Sequence, residues 1–200
     1  MLAWYMLSRN AAYSFVFIAL LTGCSPYQHY FWFDFDNAFV IDDHPPIPTP
    51  HLFELTCFDD PQSSRWMLTN GILDEQGTQS CDFSEIWQDW PITQVSFRFN
   101  VNEEPQNRYY VHDLDSGESE ISLTVSASIS GEAEEHETVL NTYGDPEREN
   151  SSSKAIARLR VDGERVELKY FGLSNDGTEV RGQFEGLKEL LAVDCNGCGD

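Results

Sequence analysis

Basic residues are scarce in this chain: 12 lysines and arginines stand against 34 aspartates and glutamates over 200 residues, a formal net charge of −22. A surface of that sign repels nucleic acid and anionic headgroups alike, which excludes a nucleic-acid partner and any membrane contact through a basic patch. Histidine is sparse too, and His29, His44, His51, His112 and His136 sit in no recognised catalytic context. No G-x-S-x-G run occurs, so a hydrolase elbow for a nucleophilic serine is missing. The nearest approach to a zinc-protease helix, His136-Glu137-Thr138-Val139-Leu140, has leucine where the second histidine ligand is required and reads as strand. There is no internal repeat, and no apolar run reaches the ~20 residues that a permanent membrane helix needs.

What is present begins with an apolar segment. Residues 1–23 contain one charged residue, Arg9, followed by an apolar run from Ala11 to Leu21, the layout of a secretory signal peptide. At its end, Leu21-Thr22-Gly23-Cys24 resembles the lipobox of bacterial lipoproteins. The resemblance implies cleavage before Cys24, diacylglycerol on its thiol and acylation of the new amino terminus. Two or three chains would anchor stably, since each buried CH2 contributes ~0.8 kcal/mol and one chain alone binds marginally. Ser25, in the following position, implies transfer to the outer membrane if the source is Gram-negative. Loss of the leader removes Arg9 and no acid, so the mature chain is one unit more negative still.

Four further cysteines, Cys57, Cys81, Cys195 and Cys198, make an even set in an exported protein, where disulfides are the expected use. Proximity in the chain favours Cys57 with Cys81 and Cys195 with Cys198. A cross-link from the tail back to the Cys57 region is the rival. Cys195-Asn196-Gly197-Cys198 has the C-x-x-C spacing of redox proteins but no helix signal after it, so a structural disulfide outweighs a redox or four-cysteine zinc role.

Three regions follow from composition: a signal peptide at 1–23, a lipid-anchored tether at 24–50, and an acidic β domain at 51–200. The tether is aromatic from Tyr30 to Phe39 and then proline-rich from Pro45 to Pro50, which reads as an extended spacer. Phe31, Phe33, Phe35, Phe39 and Ile41 share one parity, the pattern of an edge strand on the core. Contact with the membrane interface is the alternative, disfavoured by Asp34, Asp36, Asp42 and Asp43.

Beyond residue 50 apolar and polar residues alternate. Phe53, Leu55 and Cys57 do so, then Val95, Phe97, Phe99 and Val101, and most clearly Ile121, Leu123, Val125, Ala127 and Ile129 between small hydroxyl residues. Asp162-Gly163 separates Ala155–Val161 from Arg165–Phe171 as a hairpin turn, and Thr178–Phe184 completes a three-strand meander. The expected fold is mainly β, an antiparallel sandwich or barrel-like meander. One short helix is predicted from Phe83, Ile86, Trp87 and Trp90 before Pro91, and a second over Leu187–Ala192.

Candidate chemistry is thin. Asp113-Leu114-Asp115-Ser116-Gly117-Glu118 sets carboxylates two apart on a turn, as oxygen ligands around calcium require. An EF-hand is excluded, because 117 and 118 carry the wrong residues, and a looser calcium site from Asp113, Asp115 and Glu118 competes with a solvated acidic turn. Trp66, Trp87, Trp90, Tyr109 and Tyr110 offer either a sugar-stacking platform or core packing, and packing is favoured. The leading expectation is an anchored, exported, non-enzymatic binding or structural module for a protein or carbohydrate ligand. Its rivals are a secreted hydrolase with an unrecognised carboxylate pair and a calcium-stabilised adhesin-like domain.

Overall fold

The structure, a computed structural model, describes residues 28–31, 36–57, 64–74, 83–89, 91–99, 105–128, 136–142 and 151–193. Residues 1–32 form a unit of their own, described only through a 3-10 turn at Gln28–Phe31. Twelve strands make up the second unit: β1 (Ala38–Ile41), β2 (Ile47–Pro48), β3 (His51–Cys57), β4 (Ser64–Thr69), β5 (Gln94–Phe99), β6 (Tyr109–Asp113), β7 (Glu118–Ser119), β8 (Ile121–Ser128), β9 (His136–Asn141), β10 (Ser152–Asp162), β11 (Arg165–Ser174) and β12 (Glu179–Val193). The fold is mainly β, as the alternating pattern requires.

The strands pair in the order β7-β6-β10-β11-β12-β3-β4-β5-β8-β9, with β1 and β2 added beside β12. Strand β12 joins two sheets. Its first part pairs with β11 and β1, and its last six residues pair with β3. This continuous ribbon folds over on itself, bringing β8 against β6 and β10, and β9 against β11, without hydrogen bonds between them. Two sheets therefore enclose one core. Ile121, Leu123, Val125 and Ala127 point into it from β8, as do Ala155, Ala157 and Leu159 from β10 and Val166, Leu168 and Tyr170 from β11. The alternation from Ile121 to Ser128 in β8 has this cause: one face meets the opposite sheet, and the hydroxyl face does not.

Within the core, rings meet edge to face, the arrangement that sets one ring's positive rim on another's negative face. Trp66 and Phe99 lie 5.4 Å apart, Phe99 and Tyr110 4.8 Å, and Phe97 and Tyr170 5.0 Å. Cations close both ends of the Trp66–Phe99–Tyr110 series. Lys188 sits 4.9 Å from the Trp66 ring centre and Arg108 4.4 Å from that of Tyr110. Lys188 is also ion-paired to Glu54.

The meander of β10, β11 and β12 stands where expected, with one shift at its first turn. Asp162 pairs with Arg165, so the two-residue loop is Gly163-Glu164. Gly163 has φ +61°, the first central position of a type II′ turn, which closes a hairpin with the correct twist and demands glycine there. Strand β1 matches the edge-strand parity at Phe39 and Ile41, both in the core, whereas Phe31 lies in the 3-10 turn and Phe33 and Phe35 lie outside the described residues. It is clamped at both ends. The Asn37 side chain accepts from Glu185 N–H (2.8 Å) and donates to its carbonyl (3.2 Å), while Asp42 exchanges bonds with Glu179.

Three expectations need correction. The stretch assigned to a free spacer is part of the sheet: Ile47 and Pro48 pair with β1, and Thr49 is buried. The helix over Leu187–Ala192 is the second part of β12, and its pairing with β3 is parallel whereas the other pairings between the named strands are antiparallel. The exposed edge of β3 supplied a better partner than an isolated turn of helix, which is unstable at this length. Third, the predicted helix before Pro91 is only a 3-10 turn, Phe83–Ile86. Its following groups bond across the chain instead of along it: Asp74 N–H donates to Ile86 C=O and Gln88 N–H to Ile72 C=O. Of its apolar face, Ile86 and Trp87 are buried as expected, whereas Trp90 lies outside the described residues. Ile86 and Trp87, with Ile92, pack on Phe53, Leu55, Met67 and Leu191 as a second, smaller core on the outer face of the β3–β4 sheet. The parity of Phe53 and Leu55 marks this outer cluster, while Leu52 faces the main core.

Candidate functional site

The residues singled out from the sequence do not converge. Cys24, Cys81, Cys195 and Cys198 lie outside the described residues. Cys57 closes β3, where its backbone pairs with Val193 of β12. Asp113, Asp115 and Glu118 do share one hairpin, since Asp113 pairs with Glu118 across β6 and β7 and Asp115 lies on the connecting turn. The Asp113 carboxylate is engaged, however. One oxygen accepts from Asp115 N–H (3.0 Å) and the other faces Lys154 Nζ at 3.3 Å. Partial burial pushes its pKa up, but the Lys154 ammonium and the turn N–H groups outweigh that and leave it below the ordinary carboxylate value. Among the described residues no group of three or more histidine, cysteine, aspartate or glutamate side chains is placed to hold a metal ion.

The aromatic residues divide between packing and surface. Trp66, Trp87 and Tyr110 are buried in the two cores, Tyr109 is half-buried, and Trp90 lies outside the described residues. Trp66, Trp87 and Tyr110 thus offer no open stacking face.

A different feature emerges on the outer face of the second sheet. The cross-strand register places Arg65 of β4 opposite Arg98 of β5, and Arg98 opposite Ser122 of β8. The next row on that face is Met67, Ser96 and Thr124. These strands line a groove of about 380 Å³ bounded by Arg65, Ser96, Phe97, Arg98, Ser122 and Thr124, with no carboxylate among these described residues. Thr124 is held by a 3.3 Å hydrogen bond to Asn141 Oδ1, which keeps the hydroxyl row in place.

Six other cations have carboxylate partners, while Arg181 on β12, like Arg65 and Arg98, has no ion pair among the described residues. Arg108 pairs with Glu120 at 2.6 Å, Arg158 and Arg160 with Glu167, Arg165 with Glu185, Lys154 with Asp113 and Lys188 with Glu54. Arg65 and Arg98, both exposed, have no ion pair among the described residues. Sequence reading missed this pair because nothing in the chain marks residues 65 and 98 as neighbours; only strand register brings them together. Acids that adjoin, Glu167 and Glu185 on β11 and β12, lie on the other sheet and are bridged by arginines.

Comparison with protein-family models, with curated proteins and with solved structures finds no match for this chain.

Proposed function

We propose that the protein is an exported lipoprotein, anchored in the cell envelope through acyl chains on Cys24, and that its β domain is a non-enzymatic binding module. The observation that carries the address is Cys24 itself, placed directly after an apolar leader and preceded by Leu21-Thr22-Gly23. The observation that supports binding is the Arg65–Arg98 groove: a concave, hydroxyl-lined surface of the size that accepts small ligands. A rigid double-sheet body with its core filled by interlocking rings is suited to present such a surface without rearranging.

The test is intact mass and membrane fractionation of the wild type beside Cys24→Ser. The wild type is expected in the membrane fraction with a mass raised by acylation and lowered by loss of the leader. The serine variant should lack the acyl mass and leave the membrane on mild washing. Equal mass and equal location for the two proteins would overturn the anchored reading.

A further inference from the structure

Two arginines facing each other across neighbouring strands repel, and a directly opposed like-charge pair destabilises a sheet. This chain has only 12 basic residues against 34 acidic ones, so a carboxylate partner for each arginine is cheap to supply. Six other cations have one within 4 Å. Arg65 and Arg98 have none among the described residues, as is true of Arg181, but they face each other across the strands and share a groove with the hydroxyl residues Ser96, Ser122 and Thr124. One counter-charge from solution would serve both.

We infer that Arg65 and Arg98 form an oxyanion site that takes a sulfate or phosphate group. Each guanidinium offers a planar fork of N–H donors and no acceptor, which fits two oxygens of such a group at once. Two forks entering from adjacent strands carry two positive charges, so a dianion is matched and a carboxylate monoanion is not. Ser96 stands on the adjacent row, where its hydroxyl meets an oxygen that the forks leave over. The groove's volume of about 380 Å³ exceeds what the anion alone fills, which leaves room for the molecule that carries the group as a phosphate ester. No bond is made or broken in this step. The inference rests on reading the domain as a binding module and does not depend on the lipid.

The experiment uses full-length protein in detergent at pH 7.5, titrated by calorimetry at constant ionic strength. Probes are the dianions inorganic sulfate, inorganic phosphate and glucose 6-phosphate, with acetate, chloride and the monoanionic ester glucose 6-sulfate as controls. Saturable binding of the dianions without binding of acetate, chloride or glucose 6-sulfate is expected. Arg65→Gln and Arg98→Gln should each weaken it at least tenfold, and Arg160→Gln on the other sheet should leave it unchanged. Tighter binding of glucose 6-phosphate than of inorganic phosphate identifies a group carried on a larger molecule, and the reverse identifies the ion itself. Unliganded Arg98→Gln should melt no lower than wild type, because it loses a repulsion, and this shows that the variant folds. Absence of dianion binding, equal binding of a monoanionic control, or undiminished binding in both groove variants overturns the site. Either of those results leaves the fractionation of wild type and Cys24→Ser untouched, so loss of this site and loss of the anchored reading are separable.

Discussion

Tyr170 shows how far packing governs single residues here. Its ring fills the space above Gly182, directly opposite on β12, where any Cβ would collide with the ring and with Phe39 Cβ at 2.8 Å. The position requires glycine for close approach rather than for an unusual backbone angle. The phenol is wholly buried, and its hydroxyl has no hydrogen-bond partner among the described residues. A buried polar group left unpaired costs about 1–3 kcal/mol, so Tyr170→Phe should stabilise the fold by about 1 kcal/mol and raise the melting midpoint by a few degrees. Burial also pushes the Tyr170 pKa well up. Above pH ~10 an unfolded tyrosine ionises while the folded one stays neutral, so the unfolded state binds fewer protons and wild-type stability falls. Tyr170→Phe should lose that part of the alkaline decline in chemical-denaturation curves taken from pH 8 to 11. A variant that melts lower, with the same alkaline slope as wild type, would mean that the hydroxyl is satisfied. None of this was legible in the chain. The alternation in β8 announces which of its residues are inward, but Tyr170 and Gly182 acquire meaning only as neighbours across two strands.

At the scale of elements, β12 departs furthest from expectation and has the widest consequence. Leu187-Lys188-Glu189-Leu190-Leu191 is a sequence of good helix formers, and local propensity favours a turn of helix. Edge pairing with β3 wins instead, because it supplies six backbone partners and sets Leu191 into the outer cluster. Local reading sees propensity and alternation; it does not see that the edge of β3 (His51–Cys57), far back in the chain from a meander that begins at Ser152, waits to be covered. The three meander strands were legible for the complementary reason, that sequential strands pair through tight turns whose residues can be read. The parallel register also bears on the disulfides. It sets Cys57 opposite Val193, and Cys195 follows Val193 by two residues in the chain. Joining Cys57 to the tail is therefore expected in place of a local Cys57–Cys81 bridge. Such a link closes a loop of well over 100 residues, for which the chain-entropy model gives roughly 4–5 kcal/mol. Peptide mapping without reduction should recover Cys57 linked to Cys195 or Cys198, and reduction should lower the melting midpoint by several degrees. Recovery of a Cys57–Cys81 peptide would show that the strand register does not decide the pairing.

Over the whole molecule, composition carried the class and the sign of the surface, while the concave site stayed hidden. Mainly-β architecture follows from period-two hydrophobicity with few helix signals, and that pattern is a property of the chain. The groove follows from which strands become neighbours, a property of topology. Charge acts at this largest scale. With a net −22, mutual repulsion of the acids opposes the compact state. Against it stand exposed pairs such as Arg108–Glu120 and Arg165–Glu185, whose side chains are 39–67% accessible. Pairs of that kind are worth ~0.2–1 kcal/mol each and are weakened by salt. The two effects respond to sodium chloride in opposite senses, so a salt series decides which is larger. The Debye length shortens from ~30 Å at 0.01 M to ~10 Å at 0.1 M. Over that range the long-range repulsion among acids tens of ångströms apart is removed, whereas partners within 4 Å still feel each other. The melting midpoint should therefore rise steeply between 0.01 and 0.1 M and then level off. A midpoint that falls from the first addition of salt would mean that the ion pairs of the first sheet, rather than the excess of acid, dominate the electrostatics of the fold.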